Sequence, residues 1–465
     1  MDRTALLDSL SRTRTIHDVR RLFVDLGYAP DDRGDEGAHA VARWRGFHVL
    51  AAAAVEPREA GRGLARRLAL TSRRALAVSW NASELVLAAP RVGAAGITPL
   101  LVVPLAAPTP LALQLLADLA PRPRHTGLAH ALRVAELLGT ERAGERFFRI
   151  FRVMLERMAA SLAPRGSAAD RRALALIALT RVLFLYFVQA KGWLDSRPDY
   201  LPALLDDALA RGRQFHRQVL LPLFFGTLNR PPNERPRRSA PGAVPYLNGG
   251  LFEPHPVERR LAEAYVPNAL WRDAFDGLFQ KFCFCVREAD EVGAVAPDML
   301  GHVFERVMDA DERHATGTFY TPESVVRQIV DAAIETALAG GAGVERETVR
   351  RLMTGAALAP AAARAAATAL RRLRVLDPAV GSGAFLLGAL ERLTELRARL
   401  EGAGDRALRG RLRREILRDN LFGVDRNPVA VRLAELRLWL ALVADDPTTD
   451  IAHVAPLPNL DGVVR

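Results

Sequence analysis

Apolar and polar positions follow two rhythms along this chain. In FHVLAAAAV, RALAVSW, ELVLAAP and PLLVVPLAAP, short apolar runs are broken by prolines and polar turns. That rhythm predicts the strands of a small α/β domain over residues 1–120. From about residue 126 to 240 the apolar positions recur at helical spacing, first in ERFFRIFRVMLERMAASL and then in the run from Arg171 to Lys191. The stretch ALALIALTRVLFLYFVQA is apolar enough to suggest a membrane span, but Arg181 interrupts it, and a buried bundle helix is expected. RPPNERPRRSAPG (230–242) reads as a loop, Asn248-Gly249-Gly250 as a turn, and PDMLGHVFERVMDADE as a helix, so 126–310 is expected to be mainly helical. At 316–338 a loop enters a helix, with Thr321 as its N-cap, Pro322 in its first turn, and Val325, Val326, Ile329, Val330 and Ile334 as its stripe.

Composition narrows the class of protein. A chain of 465 residues holds several domains, and 49% hydrophobic with 25% charged residues is a soluble, globular balance. The net charge of +11 favours a polyanionic partner such as nucleic acid. Only Lys191 and Lys281 are lysines; the arginine excess reflects either base composition of the genome or contact with DNA. A restriction-type nuclease would need clustered acids and a lysine near the first strands. No lysine precedes Lys191, so the first domain is expected to be a nuclease-like relic or a structural domain. Cys283 and Cys285 alternate with phenylalanines as on one strand, which fits reduced thiols and no metal site. The N-terminus lacks the apolar core of a signal peptide, which leads to a cytoplasmic protein without a membrane.

The chemistry lies in RVLDPAVGSGAFLLGAL (374–390). RVL (374–376) is expected to end a buried strand with Asp377 at its carboxyl end, Gly381 and Gly383 allow a tight turn, and a helix begins at 384 with its free N–H groups facing the turn. The spacing fits neither G-x-G-x-x-G, since Gly388 comes one position late, nor a phosphate loop. A second unit follows in NLFGVDRNPVAVRLAELRLWLAL. There a strand at 420–424 leads to Asp425, Asn427 caps, and Pro428 starts the next helix. An acid at the end of a second parallel strand is placed to hold a ribose. The arginines of RALRGRLRREILRDN between the two units are either a solvated face or contacts to a DNA backbone.

GTFYTP, DPAVGSGAF and LFGVDRNPVAV together resemble the N6-adenine DNA methyltransferases, in particular the large kind found in type IIG restriction-modification and phage-defence systems. YLNGGLFEP and LGHVFERVM resemble the segment preceding the catalytic core in that group, so the resemblance covers about 126–465. It implies S-adenosylmethionine as cofactor and double-stranded DNA as partner. Carried over by position, Thr318, Phe319, Tyr320, Thr321 and Pro322 would line the methionine end. Asp377, Pro378, Ala379, Gly381, Gly383 and Phe385 would form the main cofactor loop, and Asp425 would bind the ribose. Tyr320 and Phe385 would pack against the sulfonium or simply fill the core.

The chain departs from that family at one point: it has no Asn/Asp-Pro-Pro-Tyr/Phe box, the element that accepts hydrogen bonds from the target amino group and stacks on the flipped base. NRPPNE (229–234) has the prolines but precedes the cofactor loop and lacks the aromatic. The expectation is therefore an amino-terminal piece with no catalytic residue of its own. Residues 316–465 would form an incomplete Rossmann-like domain of two to three strands, and a C-terminal half, encoded separately or lost, would complete it. The alternative is a non-catalytic DNA- or partner-binding scaffold that keeps the fold.

Overall fold

A computed structural model describes residues 3–32, 34–35, 38–71, 73–90, 98–139, 141–163, 165–236, 241–247, 250–284, 292, 294–295, 321, 323–402 and 406–460. The expected turn at Asn248-Gly249 and the expected helix PDMLGHVFERVMDADE lie outside them. The chain divides into two compact units. One holds the chain up to Phe147, with Gln280–Cys283 returning to it; the other holds Phe148–Phe279 and the described residues from 321 onward.

The first unit is a mixed sheet with helices on both faces. Helices α1 (Arg3–Ser11) and α2 (Ile16–Asp25) precede the short strands β1 (Ala29–Pro30) and β2 (Gly34–Asp35). Then come β3 (Ala38–Trp44), β4 (Phe47–Ala53), helix α3 (Pro57–Ala69), β5 (Arg74–Trp80), β6 (Glu84–Ala88) and β7 (Leu101–Pro104), followed by α4 (Pro110–Asp118) and α5 (Gly127–Leu137). The strand order is β1-β3-β4-β5-β6-β7, with β2 also on β3. Only β4 and β5 run parallel, joined by α3, and every other pair is antiparallel. Val41, Val49, Leu76, Val78, Leu85 and Leu87 bury one face together with Leu22 and Phe23 of α2. Leu50, Ala77 and Val86 meet Leu64 and Leu68 of α3 on the other. The expected strands are thus present, and β5 and β6 are buried almost throughout, as two covered faces require.

The buried polar groups of this unit are structural. Tyr28 donates to Leu119 O at 2.7 Å and lies 2.8 Å from His130 Nε2. Burial lowers His130 to about 4, so the imidazole is neutral. Asp31 meets His48 Nδ1 at 3.1 Å. Among the described residues no group of three or more His, Cys, Asp or Glu side chains could hold a metal ion.

Helix α6 (Glu141–Ser161) starts in the first unit and continues into the second, which then holds α7 (Ala168–Ala190), α8 (Tyr200–Ala210), a π-helical stretch over His216–Leu220 and Pro222–Leu228, α9 (Pro256–Arg260) and α10 (Asn268–Gly277). Helix α7 is long and apolar enough to cross a membrane, but its side chains from Leu174 to Gln189 are almost all buried in protein, as Arg181 within it suggested. Arg181 is only 2% exposed and is fully engaged: its Nε donates to Leu251 O at 2.6 Å, its Nη1 to Glu258 at 2.6 Å, and its Nη2 to Glu253 O at 2.7 Å. The guanidinium also sits 5.4 Å from the Phe224 ring. Arg181 therefore secures the LFEPHP segment to the middle of α7. Where the chain returns to the first unit, strand β8 (Cys283–Phe284) pairs with β9 (Ala294–Val295); Cys285 lies outside the described residues.

The rest of the second unit is α11 (Glu323–Thr336), α12 (Arg346–Thr354), α13 (Pro360–Arg372), β10 (Val375–Asp377), α14 (Ala384–Leu400), α15 (Arg406–Asp419), β11 (Leu421–Gly423) and α16 (Pro428–Asp445). Strands β10 and β11 are parallel, Val375 opposite Leu421 and Asp377 opposite Gly423. Hydrogen bonds tie this part to the helices before it: Trp193 Nε1 donates to Thr448 O at 2.8 Å and Lys191 Nζ to Ala444 O at 3.3 Å. The protein is thus mixed α/β and mostly helical.

Candidate functional site

The two strand-turn-helix units predicted from sequence lie side by side. Strand β10 stops at Asp377, and the chain turns through Pro378–Gly383 into α14. Strand β11 stops at Gly423 and leads through Asp425 into α16. The ladder continues past the strands, with Val424 N donating to Asp377 O and Val380 N to Val424 O, both at 2.9 Å. Asp425 closes the arrangement. Its Oδ2 accepts the Gly381 N–H at 2.9 Å and its Oδ1 the Asn427 N–H at 2.8 Å. One carboxylate therefore holds both turns.

Asp377 differs. Its Oδ1 accepts the Ala379 N–H at 3.1 Å, while its buried Oδ2 has no hydrogen-bond partner among the described residues. Burial raises the Asp377 carboxyl above the usual range; the Ala379 N–H opposes this and the neighbouring Asp425 charge adds to it. A buried carboxylate oxygen without a donor is an expensive feature to keep unless a ligand supplies that donor. Gly383 caps α14 with φ +86° and offers no side-chain cap, so the first N–H groups of the helix are left for a ligand. A Cβ on Gly383 would come within 3.1 Å of Ala434 Cα, so α16 also crowds this turn.

Helix α16 clamps the turn from beneath. Arg437 Nη1 donates to Ser382 O at 2.8 Å and reaches Ser382 Oγ at 3.2 Å, with both residues buried. Asn420 performs the matching task at β11. Its Nδ2 donates to Leu373 O at 2.6 Å and to Leu370 O at 3.1 Å, joining the end of α13 to the strand. Sequence reasoning missed both. The available signals were an arginine inside the apolar run RLWLALV and an asparagine directly before a strand.

Gly388, the late glycine, serves helix packing. A Cβ there would lie 2.6 Å from Val326 Cγ1 of α11. Arg392 of α14 reaches Asp331 at 2.6 Å. Contacts 326 to 388 and 331 to 392 advance together, so α11 and α14 run side by side with their N-terminal ends at the same end. Thr321, just before α11, is half-buried. Thr318, Phe319, Tyr320 and Pro322 lie outside the described residues. Phe385 is half-buried, while Pro378 and Ala379 are exposed.

Two expectations change. Strand β10 was expected to be buried, yet Leu376 is 62% exposed and Val424 47%, so one face of the β10–β11 pair is open among the described residues. The arginines of α15 were open to DNA contact, but most are engaged within the protein. Arg413 meets Asp445 at 3.0 Å, Arg414 meets Asp446 at 2.9 Å, and Arg418 meets Asp419 at 2.8 Å.

Comparison with known proteins bears out the resemblance. Residues 358–457, which contain both turns, match the family described as the MmeI DNA-methyltransferase domain. A protein of Methanocaldococcus jannaschii named as a type II restriction enzyme and methyltransferase is 30% identical over 340 residues, 65% of this chain and 28% of its own. The chain thus spans little more than a quarter of that relative. The adenine-specific methyltransferase PglX of Streptomyces coelicolor is 40% identical over 72 residues, 16% of this chain and 6% of its own. Among solved structures, the chain is similar to the type IIL restriction-modification enzyme MmeI in complex with DNA. There the TM-score is 0.43 and the identity 23%, over 65% of this chain and 36% of that one. It is also similar to the DrdV–DNA complex, with a TM-score of 0.32 and 13% identity over 96% of this chain and 39% of that one.

Proposed function

We propose, from a methyltransferase domain of the restriction-modification kind, that this chain binds S-adenosylmethionine between Asp377 and Asp425 and contributes to N6-adenine methylation of DNA. The observation that carries the reading is the Asp377 Oδ2, which has no donor among the described residues, beside a helix end without a side-chain cap and a bare glycine turn. That set fits the cofactor: an acceptor for its ammonium group or ribose hydroxyls, and free N–H groups for its carboxylate. Bound there, S-adenosylmethionine supplies an electrophilic methyl group.

The residues of this chain hold and orient. Asp425 fixes the turn through Gly381 and Asn427 and keeps lone pairs for ribose hydroxyls. Asp377 accepts the remaining donor, and Arg437 keeps Ser382 in place beneath. Thr321 and Phe385 add to the lining on this reading. The target adenine would have to leave its stack to be reached. No Asn/Asp-Pro-Pro-Tyr/Phe box occurs in the 465 residues, and this reading assigns none of them to the adenine amino group. The protein acts on DNA in the cytoplasm.

Calorimetric titration with S-adenosylmethionine tests this. Weak, saturable 1:1 binding to the wild-type chain and none to Asp377→Ala is expected. Equal heats for both would remove the assignment.

A further inference from the structure

The first unit carries a local excess of positive charge at one end of its sheet. Many arginines of the chain pair with carboxylates, as Arg397 does with Glu415, Arg414 with Asp446 and, in the first unit, Arg58 with Glu84. In the first unit, one end of the sheet gathers arginines that do not. Strand β4 begins at Phe47, which lies opposite Arg74 at the start of β5 in the parallel register. Arg43 of β3 lies opposite His48 of β4, and the turn between these strands is Arg45-Gly46, with Arg45 at φ 46°. Helix α3 runs back from the far end and finishes here, placing Arg66 and Arg67 beside the turn that leads to Arg74. The Arg45 Nη1 donates to His125 O at 3.1 Å, which brings Arg124 to the same end.

All six arginines are exposed, and none has an ion-pair partner among the described residues. Residues 56–74 alone carry six arginines against two glutamates, a net of +4. Asp31 is at this end too, but it is buried against His48. Further along, Asp118 and Glu136 line a shallow cleft with Arg122 and Arg133, so the unbalanced surface ends near Arg124. Like charges held together on a rigid sheet edge repel one another, and a polyanion relieves that repulsion.

We propose that this end of the first sheet, formed by Arg43, Arg45, Arg66, Arg67, Arg74 and Arg124, binds the phosphate backbone of double-stranded DNA without reading sequence. The assignment rests on the DNA reading above and gives the first unit a role in it: it holds the duplex through clustered charge, where base-specific contact is not needed. Arginine suits this because its planar fork meets phosphate oxygens in pairs.

The test is fluorescence anisotropy of a labelled duplex of arbitrary sequence at several salt concentrations. The full chain is compared with the triple variant Arg66→Ala, Arg67→Ala, Arg74→Ala. A control, Arg12→Ala, Arg157→Ala, Arg211→Ala, loses the same charge from exposed arginines that do have carboxylate partners. The first variant should lose at least tenfold in affinity, and its log–log salt slope should fall by about 0.9 for each phosphate contact removed. The control should lose less than threefold. Equal losses in the two variants, no duplex binding by the wild type, or equally tight binding of poly-glutamate would each overturn the proposal. S-Adenosylmethionine binding is measured on the same variants. If it is absent from the wild type while duplex binding follows this pattern, the cofactor reading fails and the surface stands.

Discussion

Asp425 and Gly381, 44 residues apart in sequence, are joined by a 2.9 Å hydrogen bond from the glycine N–H to the carboxylate. The same side chain accepts the Asn427 N–H at 2.8 Å, so one acid sets the distance between the ends of two parallel strands. The shape of the glycine turn thus depends on a residue outside it.

Removing that acid should disturb the turn before the fold. Asp425→Ala gives up two charge-assisted backbone hydrogen bonds, a loss of about 1–3 kcal/mol. Urea denaturation should show a lower midpoint with an unchanged slope, and S-adenosylmethionine affinity should fall more than tenfold. Asp425→Asn, which keeps one acceptor, should fall between the two. A full-affinity Asp425→Ala protein would show that the turn is held by other means.

Asp377 should trade stability for binding. Its carboxyl is raised above the ordinary aspartate value, chiefly by burial, so the folded state holds this proton more tightly than the unfolded state. Stability from this group is therefore greatest below the unfolded value near 3.8 and falls as pH rises through the folded value. Asp377→Asn, neutral at every pH, should raise the melting temperature of the unliganded protein at pH 7 and abolish cofactor binding. The melting difference between wild type and variant should shrink toward pH 4. A variant less stable than wild type at pH 7 would count against the raised value.

Gly388 should tolerate no side chain unless its neighbour shrinks. The 2.6 Å approach of an added Cβ to Val326 predicts overpacking by Gly388→Ala of about 1–3 kcal/mol. Val326→Ala in the same chain should recover most of that loss. Denaturation of the single and double variants gives the coupling, and strict additivity would mean that α11 does not lie against α14 here.

Arg181 and Glu258 form a pair that should be costly to break from either side. Their closest contact is 2.6 Å, with Arg181 2% exposed and Glu258 10%. Arg181→Met or Glu258→Ala leaves its partner buried and charged, a loss of about 3–5 kcal/mol in each case. Arg181→Lys should not rescue, because it cannot reach Leu251 O, Glu253 O and Glu258 together. A double variant no worse than either single one, seen in thermal melts, is the expected signature of one shared interaction.

The sequence made the local units legible. Strand, acid, glycine turn and helix start were readable at 374–390 and at 420–428 because each rests on short-range rules: φ above zero at Gly383, and proline at the start of α16. The contacts that join the units were not readable. That Asp425 reaches Gly381, that Arg437 lies under Ser382, and that Gly388 faces Val326 all depend on how α11, α14 and α16 pack. Even the ion pairs of α15 could not be separated from a DNA-facing stripe, since both put arginine on an exposed helix. The family resemblance named the turn as a cofactor loop; the unpartnered Asp377 Oδ2 is the independent physical reason to believe it.

Hydrogen–deuterium exchange of the whole chain, with and without S-adenosylmethionine, tests the central claim most directly because it reports where the ligand sits. The account predicts slowed exchange at the N–H groups of Gly381–Phe385 and of Val424–Asn427, with the first sheet unchanged. Slowed exchange elsewhere with these two turns untouched, or none at saturating cofactor, would contradict it.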